Sequence, residues 1–273
     1  ILFNIRKYLA MRKYGVIGDP INHSLSPLLH GEIYSQIGMP ISYNKQLIKN
    51  SELSSFVLDN KLQSYNVTIP HKESILDFLD SLDSVAVEIG AVNCVMNKKG
   101  FNTDWLGFIK AMAFNKVEIK DKNCLIIGAG GVAKAICYAL IKSKSKSIDV
   151  INRSSRRKKE LVRWISSYGI KNNKKEMPDI IINCTPIGMW PNTENLPINI
   201  NKIHTNQIIV DTIYNPIETE WIKLSRKKGA FTIGGLDMFI FQGIASAEIW
   251  ENKNITNSLK LNQIKKVLKL ELC

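Results

Sequence analysis

Long apolar runs are missing from this chain. No stretch approaches the roughly 18 uninterrupted apolar residues that a membrane-spanning helix needs, and runs such as Cys-Leu-Ile-Ile-Gly at 124–128 have the length of strands. Paired cysteines are missing too. Cys94, Cys124, Cys137, Cys184 and Cys273 are odd in number and form no C-x-x-C pair, which argues against a disulfide framework and fits thiols kept reduced in a cytoplasm. Four histidines occur without zinc-site spacing, so no metal site is expected. Residues 1–10 lack the apolar core and cleavage site of a secretory signal. They are expected to be an extension outside the fold, with a start-like Met11 opening the first strand.

Acidic residues are the minority among charges, 24 against 37 Lys and Arg, for a net charge of +13. Such an excess invites a nucleic-acid reading. The lysines are nevertheless scattered along the whole chain, and the one dense basic run, residues 153–159, has a better use given below. Neither a nucleic-acid nor a membrane partner is expected; a small anionic metabolite fits the charge better. A homodimer is entertained, although no self-complementary apolar face announces one.

What is present is ordinary for a soluble globular protein: 45% hydrophobic and 22% charged residues over 273 positions, a length comfortable for two domains. The strongest local pattern runs from Asn123 to Leu140. A short apolar strand enters G-A-G-G-V-A (128–133) and then a segment with helical apolar spacing. Gly128 would allow a tight turn, Gly130 would let the backbone approach a pyrophosphate, and Ala133 would permit close helix–strand packing. Amides at the helix start then face phosphates.

A second strand, 147–152, ends about 24 residues after Gly128, where an NAD-specific fold carries an acid for the ribose hydroxyls. Here the chain has Asn152, Arg153 and Ser154, followed by Arg156 and Arg157. A carboxylate would repel a 2′-phosphate, and guanidinium groups bind one well. The basic run therefore reads as an NADP selector, with a solvated helix start as the plainer alternative. Further strands are expected at 179–183 and 208–211, with a loop, N-C-T-P-I-G-M (183–189), at a strand's C-terminal end. Alternation of strand and helix from about 121 to 236 implies a doubly wound parallel sheet.

The first hundred residues have their own alternation. A strand at 14–18 leads through Ser24, Ser26 and Pro27 to a helix near 28–37. Two hydroxyls at a helix mouth either bind a carboxylate or simply cap the helix. In N-V-T-I-P-H-K (66–72), Asn66 and Thr68 alternate with apolar residues on one expected strand face, Pro70 ends the strand, and Lys72 follows. The clusters G-A-V-N (90–93) and N-T-D-W-L-G (102–107) are polar in apolar surroundings. Their polar groups need partners, either within turns or on a polyhydroxylated ligand.

Taken in order, these motifs, with Tyr214-Asn-Pro216, G-G-L-D-M (234–238) and Gln242, resemble those of the shikimate dehydrogenase family from Tyr14 to Gln263. The resemblance implies an α/β protein of two domains. A discontinuous substrate domain (11–110 plus 237–273) would flank a Rossmann-like NADP-binding domain (111–236). It implies reversible NADPH-dependent reduction of 3-dehydroshikimate to shikimate, in aromatic amino acid (chorismate) biosynthesis. Residue by residue, Lys72 and Asp104 would be the catalytic pair, with Ser24, Ser26 and Tyr214 on the substrate carboxylate. Asn66, Thr68, Asn93, Asp104 and Gln242 would meet ring hydroxyls. Gly128, Ala129, Gly130, Gly131, Val132 and Ala133 would hold the pyrophosphate. Asn152, Arg153, Ser154 and Arg157 would hold the 2′-phosphate, and Thr185, Met189, Ile213, Gly235 and Met238 would border the nicotinamide end.

The chain departs from the family pattern at Cys94, at Glu220, and in the bulk of Phe239, Ile240 and Phe241. The rival readings are an NAD-preferring quinate/shikimate dehydrogenase and a binding protein that has lost catalysis.

Overall fold

The computed structural model describes residues 12–59, 62, 64–171 and 176–272; the expected extension at 1–10, Met11 and Cys273 lie outside them. The chain divides into two compact units. The first comprises Ile1–Glu88, Val92–Phe101 and Gly243–Leu268, and the second Ile89–Ala91, Asn102–Gln242 and Lys269–Cys273.

In the first unit β1 (Arg12–Gly18), α1 (Ser26–Gln36), β2 (Ile41–Leu47), α2 (Leu53–Asp59) and β3 (Ser64–Val67) build a parallel core. After the short α3 (His71–Ser74) come β4 (Ser81–Leu82), α4 (Ser84–Ile89), β5 (Cys94–Met96) and β6 (Lys99–Phe101). The six strands order as β2-β1-β3-β5-β6-β4, with β5 antiparallel to β3 and β6. The last five residues of β1 are all buried, the pattern of a strand covered on both faces. Ile17, Tyr65 and Val67 pack with Leu53 and Val57 of α2.

The second unit begins with α5 (Asp104–Phe114). It continues through β7 (Asn123–Ile127), α6 (Gly131–Lys142), β8 (Ser147–Ile151), α7 (Ser155–Ser167), β9 (Ile180–Asn183), β10 (Ile208–Asp211), α8 (Glu220–Lys227) and β11 (Phe231–Ile233). All five strands are parallel, in the order β11-β10-β9-β7-β8. Counted along the unit this is 2-1-3-4-5, so the winding reverses between β7 and β9. The doubly wound sheet is as expected. One face is filled by Ile127, Ile181, Ile209, Trp221 and Ile222, each fully buried aliphatic side chain stabilising by roughly 1.5–3 kcal/mol. Two further helices, α9 (Leu236–Glu251) and α10 (Leu261–Glu271), close the chain. Among the described residues no helix is long and apolar enough to cross a membrane.

Several boundaries differ from those expected. The first helix starts at Ser26, two residues early, because Pro27 fits a first helical turn. The strand carrying Asn66 ends at Val67, so Thr68 lies just beyond it. The Thr68 amide still donates to the Ile17 carbonyl, and the chain then turns through a bond from His71 N–H to the Thr68 carbonyl. Ile69 consequently faces out, 52% exposed. Residues 102–110, 237–242 and those from 269 on, expected with the first unit, group with the second. There Gly107 lies so close to α9 that a Cβ would come within 2.7 Å of the Met238 carbonyl, and Trp105 meets the ring of Tyr138 edge-on at 5.3 Å.

Candidate active site

The glycine turn sits where the winding of the second sheet reverses, the place where open α/β sheets bind ligands. Gly128 has φ +117°, a conformation that side chains resist. A Cβ there would stand 3.2 Å from the Cys184 carbonyl carbon and oxygen, so the turn packs directly on the loop after β9. Its amide donates to the Ile151 carbonyl at 2.8 Å. Gly130 is the N-cap of α6, and a Cβ on it would project into open space. A bulky group can therefore approach the backbone there, beside first-turn amides that have no acceptor within the helix. Ala133 is fully buried. This turn fits a pyrophosphate, flanked by Ala129, Gly131 and Val132.

At the end of β8, the Asn152 side chain donates to the Ser154 carbonyl at 3.0 Å. Ser154 caps α7, its hydroxyl accepting from the Arg157 amide. Arg156 pairs with Glu160 one turn along the same helix, at 3.2 Å. Arg153 and Arg157 are both exposed around this cap. The segment thus combines an ordinary helix start with two guanidinium groups that fit a ribose phosphate.

The loops after β9 and β10 are tied together by a buried carboxylate. Asn183 accepts from the Thr185 amide and hydroxyl at 3.0 and 2.7 Å. Its Nδ2 donates to the Ile187 carbonyl and to Asp211 Oδ1. Asp211 also accepts from the Ile213 amide at 3.1 Å and the Thr219 hydroxyl at 2.8 Å. Burial pushes the Asp211 carboxyl up from 3.8 to about 6, against the smaller opposing effect of these three donors. A raised carboxyl pKa stabilises the fold below the unfolded value, and that contribution is lost as pH rises through about 6. Relative to Asp211→Asn, which does not titrate, the native protein should lose about 2–3 kcal/mol of unfolding free energy between pH 4 and pH 7. Denaturant titrations at the two pH values check this; equal differences at both would contradict it.

Beyond Ile213, the Gly235 amide donates to the Ile213 carbonyl at 3.0 Å. A Cβ on Gly235 would collide with the Thr212 carbonyl. Tyr214 stacks on Phe239 at 4.2 Å, which accounts for the bulk at 239, and Gln242 Nε2 donates to the Phe239 carbonyl at 2.8 Å. Phe241 meets Phe114 at 5.9 Å. Glu220 opens α8 behind the Thr219 cap, where a negative charge suits the helix dipole. Met238 is buried and Met189 is 39% exposed. Asp104, 4% exposed, is the first residue of α5. Its amide donates to Asn102 Oδ1, and Asn102 Nδ2 donates to the Ala91 carbonyl, so turn chemistry satisfies Asn102. Gly107, one turn on, would place a Cβ 2.8 Å from Gln242 Cβ, so Asp104 and Gln242 belong to helices in close contact.

In the first unit, Ser24 and Ser26 bond each other through their hydroxyls at 3.2 Å, and the Ser26 amide donates to Ser24 Oγ. No side chain caps α1, so the expected alternative of a plain cap is not what these serines form. Asn66 Nδ2 donates to the Asn93 carbonyl at 3.1 Å. Lys72 is in the first turn of α3, and its carbonyl accepts from the Val92 amide at 2.7 Å. His71 beside it is fully buried, with Nε2 2.6 Å from the Ile48 carbonyl. The segments that follow β1 and β3 thus carry Ser24, Ser26, Thr68 and Lys72, Ser26 and Lys72 in the first turns of α1 and α3, with Asn66 and Asn93 at the adjoining strand ends. Sequence reasoning missed Tyr43, His71, Asp211 and Ser246. Of these, Asp211 ends an apolar strand and His71 stands inside the 66–72 motif, while Tyr43 and Ser246 carry no local signal.

A doubly wound unit with a pyrophosphate turn and a basic selector, joined in one chain to a unit bearing hydroxyls, amides and a lysine, defines a nucleotide-dependent enzyme of small polar metabolites. The family model described as "Shikimate dehydrogenase substrate binding domain" matches residues 16–95, and "Shikimate / quinate 5-dehydrogenase" matches 111–187. A Bacillus cereus protein named shikimate dehydrogenase (NADP(+)) is 38% identical over 256 residues, 88% of this chain and 92% of the relative. A crystal structure of a shikimate dehydrogenase in complex with NADP+ superposes with a TM-score of 0.88 at 32% identity, covering 96% of both chains. A Listeria monocytogenes shikimate 5-dehydrogenase in complex with shikimate and NAD gives 0.83 at 30%, over 97% of this chain and 99% of that one. The chain belongs to the shikimate dehydrogenase family.

Proposed function

We propose that this protein catalyses the reversible NADPH-dependent reduction of the 3-dehydroshikimate ketone to the shikimate alcohol, within aromatic amino acid biosynthesis. The observation that carries the reading is the completeness of both half-sites: Lys72 among hydroxyls and amides in one unit, and an acid-free basic cap after a pyrophosphate turn in the other. NADPH, when bound, supplies the hydride. Lys72 hands a proton to the ketone oxygen as charge develops there. Asp104 accepts a hydrogen bond from a ring hydroxyl. Ser24, Ser26 and Tyr214 hold the carboxylate, while Asn66, Thr68, Asn93 and Gln242 take the remaining hydroxyls. Thr185, Met189 and Ile213, on loops held by Asp211 and Asn183, frame the nicotinamide end together with Gly235 and Met238 at the start of α9.

Formation of NADPH from NADP+ and shikimate by the purified protein tests the reaction; no shikimate-dependent NADPH would end this reading and favour a binding protein. Arg153 and Arg157 are assigned to the 2′-phosphate, which speaks against the NAD-preferring rival. Changing both to alanine should raise KM for NADP+ at least tenfold and leave NAD+ use within about twofold, at roughly 1.5–3 kcal/mol per charged hydrogen bond lost. An equal effect on both cofactors would remove the arginines from the selector role. A reducing cytoplasm suits the thiols: Cys94, Cys124, Cys137 and Cys184 are all free, and burial pushes Cys94 up to about 12, leaving it protonated.

A further inference from the structure

Asn66 sits on β3 with 5% exposure, and its amide is engaged at both ends. Nδ2 lies 3.1 Å from the Asn93 carbonyl and 2.9 Å from Ser246 Oγ, while Oδ1 lies 2.8 Å from the Tyr43 hydroxyl. A carbonyl only accepts, so the nitrogen must face Asn93, and this settles which end of the amide is which. Both N–H groups are then committed, one to Asn93 and one to Ser246. With the Tyr43 hydroxyl donating to one lone pair of Oδ1, the second lone pair is what Asn66 has left for a ligand.

The group that holds Oδ1 is itself held. The ring of Tyr43 stacks on His30 at 4.5 Å with 10° between planes, and His30 stacks on Trp250 at 5.0 Å. The Trp250 indole N–H donates to the Val95 carbonyl at 3.1 Å. Burial pushes His30 down to about 3, so its ring stays neutral across the working pH range. Tyr43 therefore reaches Asn66 from a fixed stack, and Ser246 reaches it from α9.

We propose that Tyr43 and Ser246 are positioning residues that lock the Asn66 amide with Oδ1 as an acceptor, so the ligand must bring a donating hydroxyl to this position. A carbonyl or ether oxygen there would face an oxygen and be rejected. This deepens the functional reading and rests on its placement of Asn66 against a substrate hydroxyl.

A double-mutant cycle tests it, read as KM and kcat for shikimate oxidation with NADP+ and as shikimate Kd by calorimetry. Tyr43→Phe keeps the aromatic stack and removes only the hydroxyl. It should raise shikimate KM and Kd about 3- to 10-fold, as expected for one net hydrogen bond, with kcat and KM for NADP+ within twofold. Ser246→Ala should act in the same direction. Asn66→Ala should weaken shikimate at least tenfold, and on that background Tyr43→Phe should add less than twofold. A silent Tyr43→Phe, or effects that add in full, would overturn the positioning role while leaving Asn66 in the site. Unchanged shikimate affinity in Asn66→Ala would overturn the placement of Asn66 itself, and this inference with it.

Discussion

Lys72→Ala lowers turnover about 10²- to 10⁴-fold while shikimate KM stays within a few-fold. The range is that of a general acid delivering a proton in the transition state, about 3–5 kcal/mol of activation free energy. The backbone around Lys72 is fixed independently of its side chain. The Lys72 carbonyl accepts from Val92, and the His71 ring lies against the Ile48 carbonyl, on the loop after β2. Truncation leaves both anchors in place, so the loss reports the ammonium group and not the collapse of α3. Steady-state kinetics in both directions provide the measurement. A Lys72→Ala protein with near-normal turnover would remove Lys72 from the chemistry.

Asp104→Ala has the second large effect, and it differs in kind. A buried carboxylate that bonds a substrate hydroxyl is felt in the ground state as well as the transition state. Shikimate KM should rise about 10- to 100-fold, at roughly 1.5–3 kcal/mol for a hydrogen bond to a charged group, and kcat should fall with it. The Asp104 amide, which no side-chain change removes, bonds Asn102 Oδ1 at the start of α5. Asp104→Asn, which keeps the shape and one acceptor, should lie between native and alanine. Kinetics unaltered by either substitution would contradict the assignment.

Much of this fold could be read from local pattern. The strand–glycine–helix passage at 123–140 dictates its own geometry, since strand, turn and helix are contiguous and each has its own periodicity. The basic cap at 152–157 was readable for the same reason. Reading fell short where the deciding contact comes from far along the chain. Alternation of polar and apolar residues through Ile69 predicts a strand at Thr68, yet the turn closed by His71 ends the pairing at Val67. Residues 102–110 go to the second unit because Gly107 fits against α9, a contact between segments 131 positions apart (238 − 107). β11 has three residues, one of them exposed, too few to show a period. The Asn66–Ser246 bond spans 180 positions, and no spacing rule couples such residues. The same holds for Asp211, whose partners at 183, 213 and 219 converge only once β9 and β10 lie side by side.

Reduction of NADP+ and of NAD+ by the purified protein, measured as kcat/KM with shikimate and with quinate, tests the central claim most directly. Turnover concentrated in the shikimate–NADP+ pair is the expected result. Comparable activity with quinate or preference for NAD+ would contradict it and place the chain with the catabolic branch of its family.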